Sequence, residues 1–328
     1  MDYDFIGIGD TTIDAFIRLK EASVHCNINK ESCEICMKFG DKIPFDEAYV
    51  IPAVGNSANA AVAAARLGLG SALFTNLGDD YWGEKCLEAL TEASVSTEFV
   101  ATNHGKKTIY NYVLWYEDDR TILVTHEKYK YELPDLKNPK WLYLSSMGED
   151  ALLMYPLLEK YLLAHKEIKL AFQPGTFQIK LGAEKLDGIY KRSELFICNK
   201  DESRRILNSK EDDPKKLLLD IANLGPRMVV ITDGPKGAYA WDGKKALFMK
   251  SYPDPKPPFE RTGAGDAFSS TVASALALGF DFETALRWGP INSMSVVQKV
   301  GAQAGLLTRI ELEEWLKNAP SDYKPKEI

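Results

Sequence analysis

Residues 262 to 268 read Thr-Gly-Ala-Gly-Asp-Ala-Phe. Three small residues, Gly263, Ala264 and Gly265, lead into the acid Asp266. An Ala-rich apolar stretch follows from Ala267 to Leu278, with Phe268, Val272, Ala275 and Leu276 at helical spacing. This pattern describes a glycine-rich loop feeding a helix N-terminus. Backbone N–H groups are unpaired there and the helix dipole is positive, so an anion such as phosphate binds well. The small residues let it approach the backbone closely. A carboxylate beside a bound phosphate is a poor ligand for it but a good proton acceptor for an incoming hydroxyl. Taken alone, the same residues also describe a tight turn with an acidic helix cap.

Other residues able to do chemistry fall at comparable places. Asp14 follows the turn Gly9-Asp10-Thr11-Thr12, where it is either a ligand-binding acid or a solvated loop acid. Gly55, Asn56 and Asn59 open an Ala-rich segment, and side-chain amides there can both donate to and accept from the hydroxyls of a polyol. Asn56 is equally placed to be a simple helix cap. Asn199 and Glu202 are spaced N-x-x-E after an apolar run, which is also the spacing of a capping box. Thr232, Asp233 and Gly234 follow another apolar run, with Gly237 opening the next strand. Asn292 lies in a helix that Gly301 closes.

The elements that must position these residues alternate. Short apolar strands are predicted at Tyr3–Ile8, Ser71–Leu77, Trp141–Leu144, Ile168–Phe172, Leu195–Cys198 and Met228–Ile231. Helices are predicted at Asn56–Leu67, Tyr81–Leu90, 150–164, 212–223 and after Asp266. Such alternation specifies an α/β fold with a doubly wound, mostly parallel sheet, whose ligands bind beyond the carboxyl ends of the strands. Two stretches break the rhythm. Residues 97–126 carry Ile109, Tyr110, Tyr112, Val113 and Trp115, then Ile122, Leu123 and Val124, around the polar turn Glu117-Asp118-Asp119: a β-hairpin. With 15–50 they form an expected small β-rich lid, leaving 1–14, 51–96 and 127–328 as the α/β domain. The polar tail after Asn318 is expected to fray.

Composition bounds the rest. The 328 residues are 45% hydrophobic and carry a net charge of −7, which supplies a sizeable core and argues against a nucleic-acid surface. The N-terminus reads as a strand and not a leader, and no apolar run has membrane-spanning length. Five cysteines fit a reducing cytoplasm better than a disulfide framework. His25, Cys26, Cys33 and Cys36 are spaced H-C-x6-C-x2-C, which leaves open a structural metal or plain packing of small thiols.

Taken together, these segments resemble the ribokinase (PfkB) family of carbohydrate and nucleoside kinases over nearly the whole chain. The substrate-binding acid after the first strand is matched by Asp14. The GG-x-x-AN segment is matched by Val54-Gly55-Asn56-Ser57-Ala58-Asn59, with Val54 in place of the first glycine. The N-x-x-E motif looks like Asn199 to Glu202, the T-x-G segment like Thr232 to Gly234, and the D-T-x-G-A-G-D signature like Glu260 to Asp266.

The resemblance implies ATP-dependent phosphorylation of a hydroxyl, with Asp266 as general base and Gly263, Ala264 and Gly265 as the anion hole. It implies acceptor binding by Asp14, Gly55, Asn56 and Asn59. The ATP side would comprise Asn199, Thr232, Gly234, Gly237, Asn292 and Gly301, with Mg2+ held through water by Glu202. A monovalent cation (K+) would lie beside the loop, where the usual Asp and Thr are here Glu260 and Arg261. Asn56 after Gly55, in place of a phosphate-pairing Lys, favours an uncharged sugar such as ribose or fructose, or a nucleoside. A non-catalytic sugar-binding relative stays open as the rival. Arg120, beside the hairpin turn, either reaches the substrate or is a solvated charge. The segment Gln173-Pro174-Gly175-Thr176 lines the site, and a homodimer formed through the lids completes the expectation.

Overall fold

The computed structural model describes residues 3–27, 33–117 and 119–328. Asp118 of the expected hairpin turn lies outside the described residues. Phe5–Ile8 is the central strand of a large sheet, with Ser71–Gly78 on one side and Trp141–Leu144 on the other, both parallel to it. Beyond Trp141–Leu144 come Lys169–Phe172, Ser193–Asn199 and Met228–Thr232, all parallel. Ala238–Trp241, Ala246–Met249 and Lys326–Glu327 then close that edge in antiparallel fashion. The parallel strands are mostly apolar because helices cover both faces.

One face packs the helices Met154–Ala164, Asp187–Arg192 and Pro214–Ala222, whose Leu158, Ile189 and Leu217 are fully buried. The other packs Asn56–Arg66, Ala264–Ala277, Phe282–Val296 and Arg309–Lys317, through Ala60, Val272, Leu286 and Leu312. Alanine dominates Asn56–Arg66 because eight of its residues are buried, between the sheet and the Ala264–Ala277 helix, so small side chains allow close approach. The strand order reverses at Phe5–Ile8, and that reversal opens a crevice at the carboxyl ends.

A second sheet of four strands overhangs the crevice, in the order Asp119–Leu123, Ile109–Tyr116, Thr12–Leu19, Phe45–Val54. Its central pair, Thr12–Leu19 and Ile109–Tyr116, is parallel, and Asp14 faces Asn111 in register. The expected boundaries shift, and Phe45–Val54 carries the small sheet four residues past the expected end at 50. The small sheet begins at Thr12, so Asp14 is a strand residue. Val100–Asn103, expected in the lid, pairs instead with Ser71–Gly78 of the large sheet.

Two further expectations are corrected. The tail does not fray: Tyr323 is fully buried with its ring 5.0 Å from that of Tyr252, and Lys326–Glu327 adds a strand to Ala246–Met249. One aromatic anchor outweighs the polarity of its neighbours. Nor are all the cysteines thiols. Ser23–Cys26 and Cys33–Cys36 form a separate two-stranded ribbon in which Cys26 and Cys33 are directly opposed and joined as a disulfide. Both are exposed, and Cys36 is half-buried, so plain packing of buried thiols does not describe them either.

Candidate functional site

The crevice is a cavity of about 460 Å³ lined by both sheets. At its floor, Gly263 is the left-handed cap (φ 80°) of the Ala264–Ala277 helix, and a Cβ there would lie 2.3 Å from the Cβ of Ala302. Geometry and space both demand glycine. Gly265 faces open space. The amide of Ala264 turns towards the Arg261 carbonyl at 3.4 Å, so of the three small residues only Gly263 and Gly265 line the cavity.

Asp266, in the first turn of that helix, is half-buried and held by three amides. Asn56 Nδ2 donates to Oδ1 at 2.7 Å, Gln173 Nε2 donates to Oδ1 at 3.2 Å and Asn59 Nδ2 donates to Oδ2 at 2.8 Å. Burial pushes its pKa upward, while the amides and the nearby charge of Arg120 oppose the rise. Asn59 is itself oriented by Gln303, whose Nε2 donates to its Oδ1 at 2.9 Å. Gly55 (φ 113°) sits where a Cβ would come within 2.7 Å of the Asp10 carbonyl oxygen, which brings the start of the Asn56–Arg66 helix against the first loop.

Across the cavity, Asp14 is raised by burial and accepts from Asn111 Nδ2 and Thr12 Oγ1, each at 3.2 Å. Asp10, at the end of the central strand, is pushed up to about 6 by burial, although Tyr131 OH (2.5 Å) and the Gly148 amide (2.8 Å) both donate to it. His126 and Phe177 meet edge to face at 4.8 Å on the same side. Arg120 lines the cavity from the small sheet and is at the same time exposed and paired with Asp119 at 3.2 Å.

On the other side, Asn199 and Glu202 form a reciprocal capping box at 2.8 Å in both directions and also line the cavity. Burial raises the Glu202 pKa. Thr232 lines the wall too.

Four expected ATP-side residues are not brought there. Gly234 and Gly237 bound a short turn, with the Asp233 amide donating to the Gly237 carbonyl. Asn292 is fully buried, donating to Thr271 Oγ1 (2.8 Å) and accepting from the Leu307 amide (2.9 Å), so both ends of its amide serve packing. Gly301 lies past the helix end at Val296 and does not close it, and its amide donates to Glu260 Oε2 at 3.3 Å. Glu260 is fully buried and also accepts from the Thr262 amide at 2.7 Å, while the Thr262 hydroxyl beside it has no partner among the described residues.

Asp10 was not anticipated as a site residue, and Gln173, expected to line the site, makes an unanticipated bond to Asp266. Both follow strands of the large sheet, and position beyond a carboxyl end was the available signal. No group of His, Cys, Asp or Glu among the described residues is arranged as a metal cluster, and His25 bonds Ser23 Oγ instead.

The family model for pfkB family carbohydrate kinase matches residues 21–309. The chain belongs to that family. This pfkB kinase is 28% identical to the ribokinase of Bacillus subtilis over 289 residues, covering 85% of this chain and 92% of the relative. Among solved structures, Arabidopsis thaliana ribokinase, complexed with ribose and ATP, superposes with a TM-score of 0.79 at 19% identity, over 97% of this chain and 99% of that one. A nucleoside kinase of Methanocaldococcus jannaschii gives 0.78 at 20% identity, over 96% and 98%. The pfkB kinase is thus an ATP-dependent carbohydrate kinase with the ribokinase fold. No helix among its described residues is long and apolar enough to cross a membrane.

Proposed function

We propose that the protein transfers the γ-phosphoryl group of ATP to a hydroxyl of a small neutral sugar, ribose- or fructose-like, with Asp266 as the general base. The observation that carries this reading is the amide-held Asp266, one residue past the open space over Gly265, at a helix N-terminus in the cavity that Asp14 and Asn111 also line. Asp14, Asn56 and Asn59 hold acceptor hydroxyls. The acceptor O–H proton passes to Asp266 as its oxygen bonds to phosphorus and the bond to the departing ADP oxygen breaks. The Gly263 and Gly265 backbone, the helix dipole and Arg120 balance the charge on the transferring group. Glu202 would hold Mg2+ through water, and the ion would supply charge neutralisation at the phosphates. Buried Glu260 and the orphan Thr262 hydroxyl suit a monovalent cation such as K+ that braces the loop. The small sheet acts as a lid that excludes water.

A nucleoside acceptor is the second reading, favoured by the His126–Phe177 ring pair beside Asp10, which gives a base a flat neighbour. The enzyme works in the cytoplasm as a homodimer.

ATP turnover with Mg2+ is measured against ribose, fructose and a panel of nucleosides. Saturable turnover of a neutral sugar is the expected result. Preference for nucleosides would select the second reading. Sugar binding without turnover would replace the kinase with a non-catalytic binder.

A further inference from the structure

Asp266 carries more hydrogen bonds than a base needs, and they are unevenly placed. Oδ1 accepts from both Asn56 and Gln173, whereas Oδ2 accepts only from Asn59. A carboxylate has about two acceptor lobes on each oxygen, so Oδ1 is saturated and Oδ2 keeps one lobe open.

Gln173 differs from the two asparagines in how it is held. Its backbone is fixed on both sides: its amide donates to the Leu144 carbonyl at 3.0 Å, and its carbonyl accepts from Ser145 Oγ at 2.9 Å. Pro174 follows and keeps the backbone extended. The next turn is fixed as well, with Gln178 Nε2 donating to the Ser145 carbonyl at 2.7 Å. The side chain is fixed by Tyr143, a fully buried residue of the central sheet whose hydroxyl donates to Gln173 Oε1. With Oε1 committed to the phenol, Nε2 can only point the other way, at Asp266. A flipped amide would set oxygen against carboxylate oxygen and leave the phenol facing an N–H.

We propose that Gln173, oriented by Tyr143, is a positioning residue for Asp266, saturating Oδ1 so that Oδ2 is the atom that takes the acceptor proton. The proposal rests on Asp266 being the base. Gln173 is tied to the sheet through its backbone and through Tyr143, and Asn59 is held in turn by Gln303. The chain Tyr143–Gln173–Asp266 therefore keeps the carboxylate plane fixed and favours its ionised form until the acceptor proton arrives. Other charged or titratable groups face Asp266 from each neighbouring element: Arg120 from Asp119–Leu123, Asp14 from Thr12–Leu19, Glu202 from Lys200–Ile206, and the Tyr143 phenol. Of these only Arg120 favours the ionised carboxylate, so the loss of an amide donor is not masked.

The test compares wild type with Gln173→Ala, Gln173→Glu, Tyr143→Phe and the Tyr143→Phe/Gln173→Ala pair. In Gln173→Ala the acid limb of kcat/KM is expected to move up by about one pH unit, because a donor to the ionised form is lost. The plateau kcat falls about tenfold from misorientation, with the KM for ATP unchanged. Gln173→Glu, equal in size, places a second carboxylate there and moves the limb further. Tyr143→Phe moves it the same way by less, and the pair is no worse than Gln173→Ala alone. An unmoved acid limb in both Gln173 variants, a defect confined to acceptor KM, or an additive pair would overturn the proposal. The 13C carboxyl resonance of Asp266, assigned with Asp266→Asn, is titrated in the resting protein. It needs no turnover, so a chain that phosphorylates nothing would sink the kinase reading and still let the titration decide this one. Should Gln173→Ala not fold, Gln173→Glu and Tyr143→Phe carry the same comparison.

Discussion

At the scale of single residues, the site separates three half-buried acids by their surroundings. Asp266 has three amide donors, Asp14 has an amide and a hydroxyl, and Asp10 has a phenol and a backbone amide. If Asp266 is the base, Asp266→Asn keeps the shape and the acceptor but lowers phosphoryl transfer by roughly 10²–10⁴-fold. Near-normal turnover of that variant would reassign the base. Alanine at Asp14 or Asn59 is expected to raise acceptor KM and leave the ATP KM nearly unchanged, since each loss leaves a hydroxyl unpaired at about 1–3 kcal/mol. Equal rises for both substrates would move these residues out of the acceptor pocket. Asp10 yields a stability prediction. Its folded pKa, about 6, lies above its unfolded value, so the folded protein binds the extra proton between about 4 and 6. Stability therefore falls as pH rises through that window, by on the order of 3 kcal/mol. In Asp10→Asn this contribution disappears. A denaturation midpoint with the same slope between pH 4 and 6 in both proteins would refute it.

At the scale of elements, the glycine loop and the cavity depend on one another. In Gly263→Ala the new Cβ meets Ala302 at 2.3 Å in a left-handed position, so the loop must move, at a cost of about 1–3 kcal/mol. Gly265→Ala meets no protein atom. It is expected to keep its urea midpoint and raise the ATP KM, because the methyl occupies the space left for phosphate. If Gly265→Ala loses stability and Gly263→Ala does not, the assignment of the two glycines is reversed. The Ser23–Cys26 and Cys33–Cys36 ribbon is closed by its own disulfide, which removes two of the ligands a metal would have used. Tag-free protein is expected to contain less than about a tenth of an equivalent of zinc.

At the scale of the whole molecule, the small sheet has an outer face that the α/β domain does not cover. Val50, Ala15, Tyr112 and Leu123 lie in register across its four strands, and Val50, Tyr112 and Leu123 are 44%, 47% and 51% exposed. Both edge strands of that sheet also present unpaired backbone groups. An apolar row between open edges suits a second copy of the same sheet. Light scattering at micromolar concentration is expected to give a dimer mass, and Val50→Asp is expected to reduce it to a monomer. A monomer mass for the wild type would remove the dimer.

Much of this architecture could be read locally. The Gly263-Ala264-Gly265-Asp266 run dictates its own backbone, because only glycine tolerates the left-handed cap, and short apolar strands alternating with helices specify a covered parallel sheet. The capping box at Asn199 and Glu202 spans four residues and is equally local. Contacts between distant segments were not legible. Asn56 and Gln173 reach Asp266 from 210 and 93 residues away, and no periodicity in either segment announces the other. Asn292 and Gly301 look like site residues in one dimension and pack as core and loop in three. Tyr323 ties down a tail whose composition reads as solvated. Local backbone preferences act within a few residues and are written in residue type. The partners of a buried polar group are settled by which surfaces the sheet brings together, and that information exists only once the chain has closed on itself.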